Sequence, residues 1–530
     1  MGIFNFLKKR QKDQNNMKLS VAGDKKGIEW VKDTNTIPLA YNQYQNWYWY
    51  KGDADLLGWF YTKGVYDLGL QSIMAQQYRI NFQDYFWCGA YRESGIKRTH
   101  SGLPRLIVDT LVNCLGTYQV KDVKDEEVKQ ETTKRLLEIL EENNFLSTFK
   151  KQLTLDLVVG DGAYIINVDP KETDMPLIQY IDGRDCTFEY IGDRVKAVII
   201  NKNYEHNGQL YECYEKRSTR RIVEKDETGN ETFKTVATIE YKLFCKNGNK
   251  SWNEVALDTI PQTKNLKNLV YNNIPYMLAV PCIRKMDAET KRGVSIFNGK
   301  IEIFDDLDQS MSQESNTMRA ITPVEWIDSN LLDSDDKGNK IVPSVYGKQI
   351  EYYKGANSFS EEPKGIITKF YDVDFNRLNT ETQENIKRAC VGIISPASIG
   401  YDISKRDNAE AQREKEKATL QTLKDLQNYE IKVLTQLFTR VLNVDDLITD
   451  QDATPRQTNI QVMFSDYATP SRSERIEKFK DAYLSGAMSI DRYIQEVYFD
   501  EDRETQEKEK EALLQAKAQS KFNFNILDEE

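Results

Sequence analysis

The stretch from 376 to 443 constrains the fold most: a helix, a short interruption, and then a much longer helix. The interruption, 393–407, carries Pro396 and Gly400, residue types that stop helices. The helical pattern reopens at Asn408 with Ala409, Glu410 and Ala411, and its first turns are nearly all polar. Beyond them Leu420, Leu423, Ile431, Leu434, Phe438 and Val441 largely keep three- and four-residue spacing, the signature of one apolar helix face. A loop held between two such helices presents a few side chains on a rigid frame.

The flanking segments alternate in type. Residues 103–116 read as a helix, with Pro104 near its start and Gly116 near its end. Residues 126–144 read as an amphipathic helix with Leu136, Leu137, Ile139 and Leu140 on its apolar side. A third helix, 146–159, stops at Gly160-Asp161-Gly162, which turns into a strand at 163–168. Strand-like runs follow at 176–181, 187–191, 195–204, 209–217 and 232–245. They are joined by turn signals such as Asp182-Gly183, Asn207-Gly208, Thr228-Gly229 and Asn247-Gly248, which predicts a mixed antiparallel region. Residues 293–299, bounded by two glycines, lead into a helix that runs to Ala320. Phe297, Phe304, Met311 and Met318 recur there every seven residues with Ile301 beside them, against Asp, Gln, Ser and Asn elsewhere. Such a stripe suits either a helix packed on neighbouring subunits and wet on one side, or ordinary core packing. Residues 321–374 interrupt the helices with strands at 324–327, 344–353 and 365–371. The tip Asp333-Ser334-Asp335-Asp336-Lys337-Gly338 has the outline of a calcium loop, but Lys337 and Ser344 stand where ligands belong, which favours a solvated turn. A strand at 458–464 and charged helices at 474–484, 489–497 and 501–517 complete an α+β chain.

Composition narrows the chemistry. With 530 residues, 39% hydrophobic and 29% charged, the chain is long enough for roughly two to four domains with a sizeable core. No apolar run approaches the ~20 residues needed to cross a bilayer. The first ten residues have too short an apolar run for a signal peptide, and Phe6 stands where acylation at Gly2 wants Ser or Thr, so a soluble intracellular protein is expected. Seven cysteines without CxxC spacing point to reduced thiols. With His100 and His206 the only histidines, no zinc site is expected, and His100, close to Arg98, reads as a surface residue. The net charge of −11 argues against a broad grip on nucleic acid, but not against a protein that lets DNA pass without sticking. The aromatic-rich segment 36–84 could stack on bases, yet its few basic residues favour packed short helices. No GxxxxGK[ST], GxGxxG, GxSxG or HExxH motif occurs, and Gly160-Asp161-Gly162 is too short a glycine loop and precedes a strand. Carboxylate pairs such as Asp305-Asp306 and Asp335-Asp336 point apart as neighbours in a helix or turn. No catalytic residue, metal or cofactor is therefore expected, and the chain reads as a non-enzyme.

From about Leu103 to Gln515, the order of these parts resembles that of the portal proteins of tailed bacteriophages. Residues 103–113 look like the family's early wing helix, and Asp156-Leu-Val-Val-Gly160-Asp161-Gly162-Ala-Tyr-Ile-Ile-Asn-Val168 like its helix-to-strand signature. Tyr180-Ile-Asp-Gly-Arg-Asp185 is similar to the turn that follows, and 194–200 to the succeeding wing strand. Residues 460–466 through 485–490 resemble the return to the wing and the start of the crown. The resemblance implies a portal-type α+β protomer: flexible arm 1–25, wing 26–290, stem helix 291–320 and clip 321–374. Next come a second stem helix 375–393, a tunnel loop 394–408, the long helix and return strand 409–469, and crown helices with a tail 470–530. It further implies a homo-oligomeric ring, usually of twelve, at one capsid vertex of the virion, assembled in the host cytoplasm. Double-stranded DNA would be packaged through it by the terminase large subunit and later ejected. A head–tail adaptor and the major capsid and scaffolding proteins are the other implied partners, and no membrane is involved. Ser395, Ser398, Tyr401, Ser404, Lys405 and Arg406 would face DNA from the loop, and Trp326, Asp333, Asp335, Tyr346 and Tyr352 would dock partners from the clip. Lys405 and Arg406, repeated round a ring, would make a basic collar in an otherwise acidic conduit; pairing with Asp402 and Asp407 is the alternative. A non-channel or scaffold-like virion protein, or a packaging enzyme, are the other readings.

Overall fold

The computed structural model describes residues 36–64, 84–90, 97–122, 131–169, 173–225, 231–247, 251–320, 324–328, 332–338, 341, 348–352, 366–369, 375–401, 409–449, 458–464, 472–498 and 505–515. The chain divides into two units, Met1–Phe464 and Ser465–Glu530.

In the first unit a helical layer forms around aromatic rings. Helix α1 (Thr36–Lys51) is followed by α2 (Ala54–Trp59), which Asp53 caps by accepting from the backbone N–H groups of Asp55 and Leu56. A single π-helical turn, Phe60–Gly64, and the short α3 (Phe86–Ala90) come next. The aromatic-rich segment is packed: Tyr41, Trp49, Phe60 and Tyr61 are buried, and the Tyr61 hydroxyl accepts from Gln45 Nε2 and Trp49 Nε1 at 2.7 and 2.8 Å. Those rings serve the interior and are closed to nucleic-acid bases. Helix α4 (Leu103–Leu115) begins with Pro104, buries Ile107, Val108, Leu111 and Leu115, and ends at Gly116 with φ 76°. Strand β1 (Tyr118–Asp122), α5 (Glu131–Glu142) and α6 (Phe145–Val159) follow. Tyr118 meets Phe145, Phe149 and Phe438 of the long helix, with ring centroids 5.3–5.9 Å apart. Each such ring contributes about 1.5–3 kcal/mol through burial.

The sheets carry the register that the turn signals imply. Strands β2 (Asp161–Asn167) and β3 (Leu177–Asp182) join β10 (Ala279–Ile283) in a three-stranded antiparallel sheet. A larger sheet runs β4 (Cys186–Ile191), β5 (Arg194–His206), β6 (Gln209–Lys225), β7 (Glu231–Asn247) and β8 (Ser251–Val255), with β9 (Leu269–Tyr271) pairing β7. Asn207 and Gly208, at φ 51° and 71°, make the tight β5–β6 turn. Ile165, Cys186, Val198, Ile200 and Ala279 form the core between the two sheets. Buried Arg217 spans them, donating to the carbonyls of Ile166 and Leu278 at 2.7 and 2.8 Å and pairing with Glu215.

Gly160-Asp161-Gly162 is a structural knot. Asp161 is fully buried and takes a two-pronged bond from Arg292 at 2.7 and 2.8 Å, plus the Gly293 N–H at 2.7 Å. A Cβ on Gly160 would lie 2.4 Å from the Gly293 carbonyl oxygen, and one on Gly183 would lie 1.9 Å from Asp161 Oδ1. Only glycine permits backbone this close.

Helix α7 (Ile301–Ala320) follows turns at 297–300, as the lead-in 293–299 suggests, and so starts later than the stem helix from 291 that the resemblance implies. Its apolar stripe is buried at Phe297, Phe304 and Leu307 but gives out at Met318, which is 62% exposed. The polar side packs as well. Asp308 accepts from Trp87 Nε1 and Ser101 N, Ser312 pairs with the Thr99 backbone, and Asn316 with that of Lys97. Four residues of helix rise about 6.0 Å and two of extended chain about 6.6 Å, so every fourth α7 residue meets every second residue of 97–101. His100 is a correction: its side chain is only 6% exposed, with Nδ1 2.6 Å from Asp308 Oδ2 and its ring between Trp49 and Trp87.

Strand β11 (Val324–Asp328) pairs in parallel with β12 (Lys348–Tyr352) and antiparallel with β13 (Ile366–Lys369), directions that no sequence pattern announces. Helix α8 (Phe375–Cys390) returns beside α7, and Lys300 Nζ at the entry to α7 donates to the Arg388 carbonyl near the α8 terminus at 2.9 Å. Helix α9 (Ala409–Thr449) is 41 residues long, outrunning the expected end at 443. Strand β14 (Ile460–Phe464) pairs antiparallel with β1. The architecture is α+β.

The second unit holds α10 (Arg472–Leu484) and α11 (Ile490–Val497), the latter capped by Ser489 through the Arg492 N–H. Tyr493, Ile494 and Val497 form its core with Phe479, Met488 and Leu513.

Candidate functional site

The break between α8 and α9 starts as a built structure. After Cys390 the chain turns through Gly392 at φ 77°, and the N–H groups of Ile393 and Ile394 both return to the Cys390 carbonyl at 3.0 Å. The Ser395 N–H donates to Thr419 Oγ1 at 2.8 Å, and Ser398 Oγ lies 2.7 Å from the same oxygen. Thr422 Oγ1 donates to the Ile393 carbonyl at 2.7 Å. A 3-10 turn, Pro396–Ile399, closes at Gly400 with φ 82°, and the Tyr401 N–H bonds back to Pro396 O at 3.0 Å. Thr419 is fully buried and Ser395 nearly so.

The six loop residues singled out from the sequence therefore differ in position. Ser395 and Ser398 converge on Thr419 and hold the turn to α9. Tyr401, 43% exposed, stands where the chain leaves that anchor. Ser404, Lys405 and Arg406 lie outside the described residues. Sequence reasoning missed Thr419 and Thr422, because polar first turns read as solvated. Their signal was two hydroxyls three residues apart, each next to a leucine of the apolar stripe, Leu420 and Leu423.

The residues singled out in 321–374 are spread over a small sheet and a turn. Trp326 sits in β11 opposite Ile350 and Ile367, and Tyr352 ends β12 opposite Asp328. Asp333 and Asp335 are exposed, and Asp335 Oδ1 accepts from the Lys337 N–H at 2.9 Å, the geometry of a turn. Tyr346 lies outside the described residues.

Between α7 and α8 lies a polar cavity of about 430 Å³, walled by Asp306, Gln309 and Gln313 on one side and Glu381, Glu384 and Arg388 on the other. Partial burial raises the Asp306 pKa, with Glu302 and Glu381 adding to it and Arg388 opposing. Three carboxylates against one guanidinium suit water or a cation better than an anion. Ser310, also in the wall, donates its hydroxyl to the Asp306 backbone carbonyl at 2.9 Å. Deeper in, burial pushes Asp305 up to about 7, although it accepts from the Phe86 N–H at 2.6 Å. The seven cysteines are free thiols, and burial raises Cys390 to about 11, far from a reactive thiolate. Among the described residues no group of three or more His, Cys, Asp or Glu is placed to hold a metal ion, and no helix is long and apolar enough to cross a membrane.

No protein-family model matches the chain, and no curated protein matches it. Among solved structures it is similar to a chain of "Neck of native GTA particle computed with C12 symmetry", with TM-score 0.37, 10% identity, 74% of this chain covered and 89% of that one. It is also similar to a chain of "Neck of empty GTA particle computed with C6 symmetry", with TM-score 0.36, 11% identity, 73% of this chain covered and 87% of that one.

Proposed function

We propose that this chain is the portal of a tailed-phage particle: a ring-forming, non-enzymatic conduit for double-stranded DNA at one capsid vertex. The observation that carries the reading is the order α7, short sheet, α8, anchored turn and α9. Two helices that pack side by side flank a small sheet in the chain, and an anchored turn at 393–401 then precedes a 41-residue helix. In this reading α7 and α8 line the stem, β11–β13 form the clip that meets terminase and then the adaptor, and 401–408 reaches the duplex. A conduit must not hold what slides through it, and a chain of net charge −11 repeated round an axis repels phosphate along most of its length. Lys405 and Arg406 form the exception, a basic collar at the narrowest point. Twelve copies is the expected number, although closure depends on the angle between neighbours.

Cryo-EM class averages of the purified protein test this reading. Closed rings with an open axial hole are expected, and a monodisperse monomer at high concentration would overturn it. Nucleotide hydrolysis by the purified chain would equally count against a non-enzymatic portal.

A further inference from the structure

Five elements bring ionisable groups to one buried point beside α9. Asp156 comes from the last turn of α6, Tyr164 from β2, Tyr180 from β3, Arg284 from just after β10, and Tyr429 and Glu430 from α9. Asp156 and Glu430 are only 3% and 1% exposed. One amide serves both carboxyls: Gln152 Nε2 lies 2.5 Å from Asp156 Oδ2 and 3.1 Å from Glu430 Oε1. The Tyr180 hydroxyl donates to Asp156 Oδ1, and the Tyr164 hydroxyl donates to Gln152 Oε1 at 3.3 Å. Glu430 Oε2 and Arg284 Nε meet no hydrogen-bond partner.

The surrounding charges do not neutralise two carboxylates. Asp161 faces Asp156 but is already paired with Arg292. Burial raises the Cys282 thiol and the Tyr429 and Tyr180 phenols, so these stay neutral. Arg284 is the facing cation; it is itself disfavoured by burial and also answers to Asp425. Two ionised carboxylates against one such guanidinium would leave net negative charge in a low-dielectric interior, and protonating one of them costs less.

We propose that Asp156 and Glu430 form a proton-held latch that fastens α9 to α6 and the sheet behind it. With a proton on the pair, the carboxyls share Gln152 and the helix is closed; with both ionised, they repel and α9 loosens around 425–435. The direction of titration agrees. Burial pushes Asp156 up to about 7, against the Tyr180 and Gln152 hydrogen bonds, and pushes Glu430 up to about 8, with the Asp156 charge adding. Both values lie above the ordinary carboxylate range, so the folded state holds more protons than the unfolded one. The latch is fully closed at acidic pH and is lost as pH climbs through about 7 to 8, the pair titrating together.

The test is amide exchange on the full chain, followed in peptides covering 425–435 at pH 6 and pH 9 and corrected for base-catalysed intrinsic exchange. Protection in the native protein should fall at least about tenfold between the two, one pKa unit corresponding to a factor of ten. In the doubly substituted Asp156→Asn, Glu430→Gln chain, which keeps both shapes without either charge, it should change by less than about twofold. Glu430→Gln alone, which leaves only Asp156 to ionise, should give an intermediate fall and serves should the double variant misfold. Equal loss of protection at both pH values in these variants would mean plain packing and overturn the latch, as would pH-independent protection in the native chain. The measurement needs neither ring nor DNA, so its failure leaves the proposed function standing.

Discussion

Asp161 shows how a single residue can organise a large part of the chain. Its carboxylate is compensated by Arg292 and the Gly293 N–H, while Arg292 also donates to the Gly183 carbonyl at 2.8 Å, so one buried pair ties β2, the turn after β3 and the approach to α7. Arg292→Leu keeps the bulk but strands a buried charge. It should destabilise by about 3–5 kcal/mol, read as a lowered denaturant midpoint with unchanged slope. The sequence marks the Gly160-Asp161-Gly162 turn but not its purpose, because the partner lies 131 residues away. His100 was misread for the same reason. Its neighbour in sequence is Arg98, and nothing local announces Asp308, 208 residues on, which encloses it.

At the scale of elements, the helices and antiparallel strands were legible because each is written in a local period, with turns such as Asn207-Gly208 fixing register. The environment of α7 was not, since a heptad of apolar residues drew the eye from Asp308, Ser312 and Asn316, whose four-residue spacing fits an extended neighbour. The parallel β11–β12 pairing was equally hidden, because the period of a strand carries no signal for the direction of its partner. The turn after α8 reads as a breaker, yet its fastening to α9 depends on a hydroxyl in that helix. Thr419→Val keeps the volume and deletes both bonds. It should cost about 1–3 kcal/mol and speed protease cutting within 395–408, while α9 remains helical by circular dichroism.

For the whole molecule, the anchored turn 393–401 and the segment 402–407 proposed to face DNA make separable predictions. Removing 402–407 while keeping 393–401 should leave ring assembly unchanged and sharply reduce DNA packaged into heads, measured as nuclease-protected DNA. Unchanged packaging would reject the loop as the DNA-facing part. Of the candidate site, the break between the two helices was legible in Pro396 and Gly400, whereas its fastening needed three dimensions, because the hydroxyl that holds it comes from α9.

Strand β1 emerges early and finds its partner, β14, only after α9 has been made. At about 5–20 residues per second on the ribosome, the nascent chain holds an unmatched strand edge for a long interval. A truncated version ending at Thr449 would keep every long helix of the first unit and still leave that edge bare, making it prone to clump. The earliest safe stopping point is therefore Phe464, where the last-made strand closes over one of the first.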